Sequence, residues 1–308
     1  MNRRHFSLAL ASALLAPLKA SAAGGAVFLD YGQDDLDKAY DQRNWAPNAG
    51  EVIKRYTTDS IAARAKYPPR TERYGQSEAE TLDIFAPAGA RGLPVMVFVH
   101  GGAWRALGKD DSAAPASSFV EHGCLYVALN FANIPAVRLP DMASQCRLAM
   151  LWIRANIARF GGDPQQIFVS GHSSGGHLAA TLLATDWKSL GAPADLIKGG
   201  VVMSGMMELY PVLLSSRSSY VKVSAAEVEA LSPMRHLDRI ACPVIVVHGD
   251  QESPEFKRQA TVFAEALSGM GRLRAQFVLR GKNHFEVPEA FNDASHPLTL
   301  NVLAMMKG

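Results

Sequence analysis

Ile167-Phe168-Val169-Ser170-Gly171-His172-Ser173-Ser174-Gly175-Gly176-His177-Leu178-Ala179-Ala180 is the stretch on which the reading of this chain turns. Its opening residues are β-branched or aromatic, the pattern of a short buried strand. The residues from Ser174 to Thr185 are small and apolar enough for a packed helix. Between them, glycines stand two positions before and two after Ser173, where a tight strand-to-helix turn leaves no room for side chains. Such a turn raises the Ser173 hydroxyl above the strand end and sets it at the positive pole of the next helix.

The same alternation continues on both sides. Short apolar runs at Thr81–Phe85, Val95–Val99, Leu125–Asn130, Gly200–Ser204, Val244–Val247 and Gln276–Leu279 read as strands. Helical patterns at Pro140–Phe160, Pro254–Met270 and Pro288–Lys307 fall between or after them. Continuous apolar strands separated by helices predict an α/β fold with a mostly parallel sheet covered on both faces. Two stretches fall outside the alternation: the polar, helix-prone Asp34–Lys66, and 206–237, which is apolar at first but has no clear strand. Ligand sites of such sheets lie at the C-terminal strand ends, so 206–237 is expected to form a small cap there.

Residues 1–22 read as an export signal of the twin-arginine type: Arg3-Arg4, an apolar run from Phe6 to Leu18, then Ala20-Ser21-Ala22 as a cleavage site. The mature chain, 23–308, is expected to be one domain in the periplasm, with no stable membrane association after signal removal. Of 31 basic and 29 acidic residues, the signal carries Arg3, Arg4 and Lys19 and no acid, so its removal turns the formal charge from +2 to −1. With no basic patch interleaved with aromatics, nucleic acid is not an expected partner. Cys124, Cys146 and Cys242 are widely spaced and show no metal-ligand pattern, and Cys124 and Cys242 sit in apolar runs as buried hydrophobes do. His172 and His177 lack an acidic third ligand, so neither a metal nor any other cofactor is expected.

A serine hydroxyl needs a base, and the base an acid to orient it. His284, in Gly281-Lys282-Asn283-His284-Phe285 after the last strand, is the candidate base. His296 and His177 lie in helical stretches and read as structural. Glu252 is the candidate acid because it stands three residues after Gly249, with Asp250 as its rival. His100-Gly101-Gly102-Ala103-Trp104 follows the strand Val95–Val99. The backbone N–H groups of Gly102, Ala103 and Ser174 are the expected oxyanion donors. Trp104, Met206 and Tyr210 are the candidates for holding an aromatic or alkyl group of the substrate.

These motifs resemble the arylformamidase (kynurenine formamidase) branch of the α/β hydrolases and their esterase relatives. The resemblance rests on His100–Trp104, Gly171–His177, Asn283-His284-Phe285, Phe160–Pro164, Ser253–Gln259, Tyr40–Arg43 and Ser60–Arg64, and so covers nearly the whole mature chain. In the branch resembled, aspartate stands before Ser-Pro-Glu-Phe; here that position is Glu252. The resemblance implies an α/β-hydrolase fold and an acyl-enzyme cycle acting on a small ester or aryl amide. Because formylkynurenine hydrolysis belongs to a cytoplasmic route, an exported relative is expected to be a carboxylesterase, with arylformamidase second. A hydrolase-fold binding protein without catalysis is the third class, and it would require a broken triad.

Overall fold

The computed structural model describes residues 25–308; the expected export signal lies outside them. An N-terminal segment carrying α1 (Gln33–Tyr40) and α2 (Ala49–Lys66) leads into β1 (Arg70–Arg73) and β2 (Thr81–Phe85). The chain then runs β3 (Leu93–Val99), α3 (Ala116–Val120), β4 (Leu125–Leu129), α4 (Leu139–Asn156), β5 (Gly162–His172) and α5 (Ser174–Leu183). It continues through β6 (Ile197–Met203), α6 (Tyr210–Leu214), α7 (Ala225–Leu231), β7 (Val244–Gly249), α8 (Pro254–Gly269), β8 (Leu273–Leu279) and α9 (Pro297–Lys307).

The strands form one eight-stranded sheet in the order β1-β2-β4-β3-β5-β6-β7-β8. β1–β2 and β2–β4 pair antiparallel, and every later pair is parallel. The apolar runs are continuous because both faces are covered. Val95, Val97 and Val99 face the layer that contains α4, α5 and α8, while Met96 and Phe98 face the layer that contains α3 and α9. β4 and β7 alternate the same way: Leu125, Val127, Val244 and Val246 enter the first layer, and Tyr126, Ala128, Ile245 and Val247 the second.

Helix starts carry their own chemistry. Asp141 accepts from the Arg138 N–H at the head of α4, and Ser253 accepts from the Phe256 N–H at the head of α8, each with a proline in the first turn. α5 is buried along its whole length, which the small residues Gly175, Gly176, Ala179 and Ala180 make possible.

The structure adds to or departs from the sequence reading in three places. In the segment 206–237, expected to form a small cap, Met206, Met207, Leu209 and Val212 are fully buried in the same apolar layer as α4, α5 and α8. Its run of hydrophobes signals core packing, and only Arg217 reaches the cavity described below. The C-terminal helix predicted over 288–307 is instead a 3-10 run, His284–Asn292, followed by α9. Asp293 turns the chain between them by accepting from the Ser295 N–H, and His296 caps α9 ahead of Pro297. β1 had no sequence signal, because Arg70-Thr71-Glu72-Arg73 is a polar edge strand with no apolar face. The three cysteines are buried and unpaired; burial raises the thiol of Cys124 to about 11 and those of Cys146 and Cys242 to about 12.

Candidate active site

Ser173 sits between the end of β5 and the start of α5 at φ 56° and ψ −121°, a conformation that L-residues rarely adopt. The turn is held by its neighbours. The Ser173 N–H donates to Met203 O at 2.9 Å. A Cβ at Gly171 would stand 2.2 Å from Gly175 O, and one at Gly175 would stand 2.1 Å from Val99 O and 2.2 Å from His100 O. The glycines are therefore required by the close approach of three backbone segments.

Two hydrogen bonds connect Ser173 to a buried carboxylate. The Ser173 hydroxyl lies 2.9 Å from His284 Nε2, and His284 Nδ1 donates to Glu252 Oε2 at 2.8 Å. Ser173, His284 and Glu252 are all nearly inaccessible to solvent. Burial pushes the Glu252 carboxyl up, yet the His284 imidazole and the bonds donated by His284, the Ser204 hydroxyl and the Gly249 N–H together hold it below the usual carboxylate range. Both bonds to Glu252 Oε1 are 2.6 Å long. Asp250 does not join this chain: its Oδ1 accepts from the Gly281 N–H at 2.8 Å. A hydroxyl, an imidazole with one fixed tautomer and a carboxylate in this order can move a proton off the serine and stabilise the resulting imidazolium.

His284 is positioned from two further sides. His172 Nε2 donates to the His284 carbonyl at 2.8 Å, and its ring lies 4.6 Å from that of His284. Burial, and then the neighbouring His284, push the His172 pKa well below its ordinary value, so it acts as a neutral donor. The Phe256 ring meets His284 edge-on at 4.9 Å. His177 lies outside the cluster: it is fully buried, donates from Nε2 to Leu231 O at 2.7 Å, and packs edge-on against Trp104 at 5.4 Å. Neither His172 nor His177 belongs to a group of metal ligands, and no such group occurs among the described residues.

The serine opens into a cavity of about 220 Å³, below the roughly 300–1,000 Å³ of sites for drug-sized ligands. Gly102, Ala103, Ala106 and Leu107 line one wall, and Asp41, Gln42, Arg43, Ile53 and Tyr56 line another, with Arg217 and Phe285 completing it. The N–H groups of Gly102 and Ala103 enter no backbone hydrogen bond among the described residues. Gly102 has φ 104° and Ala103 φ 55°, and a Cβ at Gly102 would stand 1.9 Å from Ala106 O. Ser174 is the first residue of α5, beside Ser173.

The three side chains expected to hold the substrate do not line this cavity. Trp104 is 1% exposed, in the core between His177 and Arg217. Met206 is equally buried, and Tyr210 is half exposed on the far side of the segment, edge-on to Phe28 at 6.4 Å. Being aromatic or apolar near a motif marks core packing as readily as a binding wall. The wall comes instead from the N-terminal segment, whose Tyr40-Asp41-Gln42-Arg43 carried part of the resemblance but no sign of where it would fold. A larger groove of about 980 Å³ lies at the opposite end of the sheet, against β1 and Gly161–Pro164, away from all of these residues.

Fold and site together define a serine hydrolase of the α/β-hydrolase superfamily. The BD-FAE family model matches residues 82–194, from β2 through α5 and just beyond. Kynurenine formamidase of Danio rerio is 29% identical over 288 residues, 89% of this chain and 96% of that protein. Esterase LipQ of Mycobacterium tuberculosis is 31% identical over 64% of this chain, which spans about half (52%) of that protein. A crystal structure from Silicibacter sp., classed provisionally as a thioesterase, superposes with a TM-score of 0.77 at 26% identity, covering 89% of this chain and 99% of that one. Within the superfamily, the chain is similar along nearly its whole described length to kynurenine formamidases, and over a shorter stretch to esterases.

Proposed function

We propose that the protein is an exported carboxylesterase in which Ser173 is the nucleophile, His284 the general base and Glu252 the orienting acid. The observation that carries this reading is the continuous pair of hydrogen bonds from the Ser173 hydroxyl through His284 to Glu252. Ser173 attacks the ester carbonyl as His284 Nε2 takes its proton. The oxyanion meets the N–H groups of Gly102, Ala103 and Ser174, each worth about 3 kcal/mol in the transition state. His284 then returns the proton to the leaving alcohol, and water releases the acid by the same steps in reverse. Glu252 fixes the Nδ1–H tautomer throughout. Ser204 and the Gly249 N–H hold its other oxygen, which aims the carboxylate at His284.

A second reading, hydrolysis of an aryl formamide by the same cycle, is favoured by the similarity to kynurenine formamidase over nearly that protein's whole length. Rates on 4-nitrophenyl acetate, 4-nitrophenyl butyrate and N-formylkynurenine, measured with the mature protein, decide between the two. Faster turnover of the esters upholds the esterase, and a kcat/KM tenfold or more higher on N-formylkynurenine replaces it with the formamidase. Export is tested by sequencing the N-terminus of protein from a bacterial host: a start near Ala23 in the periplasm upholds it, and an intact Met1 in the cytoplasm overturns it.

A further inference from the structure

The cavity in front of Ser173 holds a charge that no carboxylate among the described residues pairs with. Arg217 is 9% exposed and lines that cavity. It takes part in no salt bridge among the described residues, although every other strongly buried charged side chain near it is matched. Glu255 has Arg258, and Glu252 has His284. A guanidinium has five N–H donors. Nε and Nη2 donate to the Tyr40 carbonyl at 3.2 and 2.7 Å, and Nη1 has only the thioether of Met206 at 3.6 Å, a weak acceptor. The rings of Tyr40, Trp104 and Phe256 surround it at 5.7 to 5.9 Å from its central carbon. Aromatic packing of this kind desolvates a cation without neutralising it, and a buried charge left so is costly unless a partner arrives.

Exposed Arg43 lines the same cavity, and Asp41 is the one acidic residue among the lining groups, so the lining favours an anion. The hydrogen bonds of Arg217 go to Tyr40 and Met206 and none to Ser173, His284 or Glu252, yet it shares with Ser173 a space the size of one small molecule.

We propose that Arg217 is a specificity-determining residue whose free N–H edge receives a carboxylate of the substrate, so that the preferred substrates are small esters or formamides carrying an anionic group. This rests on the reading of Ser173 as the nucleophile. A planar guanidinium edge matches the two oxygens of a carboxylate and pairs with it more strongly than with a neutral carbonyl. The bond is made before and during reaction alike, so its loss raises KM more than it lowers kcat.

The test uses isosteric pairs on the wild-type mature protein and on Arg217→Gln. One pair places the charge on the leaving group, 4-acetoxybenzoate against its methyl ester. The other places it on the acyl group, 4-nitrophenyl hydrogen adipate against 4-nitrophenyl hexanoate. Reading the anionic-to-neutral ratio of kcat/KM within each sample cancels both the intrinsic reactivity of the esters and any loss of folded protein. A fall in that ratio of about tenfold or more in one pair, carried by KM, is expected from loss of a charge-assisted bond and names the side that bears the charge. An unchanged ratio in both pairs overturns the proposal. In the wild type, benzoate should inhibit at lower concentration than benzamide, and equal inhibition also overturns it. If no ester or formamide is turned over, the reading of Ser173 has failed. Calorimetric binding of benzoate, present in the wild type and lost in Arg217→Gln, then still judges the arginine on its own.

Discussion

Ser173 and His284, the proposed nucleophile and base, are held in opposite ways. Ser173 is placed mainly by what lies within a few residues of it, Gly171, Gly175 and the N-terminus of α5, with the Met203 carbonyl on the adjacent strand as an anchor. The loops that carry His284 and Glu252 are strapped in addition by residues more than two hundred positions away. Gln42 Nε2 donates to Ser253 Oγ at 2.7 Å, and the Ser253 N–H donates to Gln42 Oε1 at 3.1 Å, pinning the residue next to Glu252. Asn283 Nδ2 donates to Asn48 Oδ1 at 2.8 Å, the Tyr56 hydroxyl donates to the Phe285 carbonyl, and Arg55 pairs with Glu289 at 2.9 Å. One half of the site is a local motif; the other is a tertiary assembly strapped by the N-terminal segment. A change in the first should act on chemistry alone, and a change in the straps on both rate and stability.

The largest effect belongs to the local half. Ser173→Ala should reduce kcat by about 10⁶-fold, as for other serine nucleophiles, without lowering the melting temperature. Calorimetry alongside stopped-assay rates checks both parts, and residual turnover of more than a few per cent would remove Ser173 from its role. Next, Glu252→Gln should lower kcat by about 10⁴-fold, because a neutral amide neither fixes the tautomer nor stabilises the imidazolium. Asp250→Asn, whose carboxylate only turns the chain at Gly281, should stay within about threefold of wild type, the range of a surface substitution. Equal losses in the two variants would merge them into one network.

Smaller still, Gln42→Ala should cost about 1–3 kcal/mol of stability, because it strands the buried Ser253 N–H. It should also lower kcat by roughly tenfold through a loosened Glu252 loop. A rate loss without a stability loss would mean that Gln42 acts on substrate from the cavity wall rather than as a strap.

The effect with the least bearing on rate concerns pH and stability. His100 and His177 are buried and held neutral, their pKa values pushed by burial from 6.5 down to about 4. The unfolded chain therefore binds more protons between these values. Their contribution is fully present above about pH 6.5 and is lost as pH falls toward 4, on the order of 3 kcal/mol for each histidine at about 1.4 kcal/mol per pKa unit. Urea titrations of wild type and His177→Gln between pH 7 and 4.5 should show a shallower slope in the variant. Identical slopes would take His177 out of this account.

The same contrast explains what could be read in advance. The strand-turn-helix at Ser173 was legible because glycine spacing and apolar runs are local properties, and the sheet followed from the repetition of that unit. Glu252 was legible by its distance from Gly249. The straps were not, because nothing in Gln42 or Asn48 specifies a partner more than two hundred residues away. The hydrophobes of 206–214 misled because periodicity says that a face is buried and not against what. Ser204 and His172, which grip the acid and the base, carry no signal beyond lying at strand ends.

The hydrogen bond from His172 to the backbone of His284 has one further consequence. His172 immediately precedes Ser173, so the rigid end of β5 carries both the nucleophile and the clasp that holds the base. A displacement of that strand end carries the two reacting atoms along together. Movement of the surrounding walls is therefore expected to leave the 2.9 Å separation between Ser173 and His284 largely unchanged, as a jig keeps two parts aligned while the bench moves.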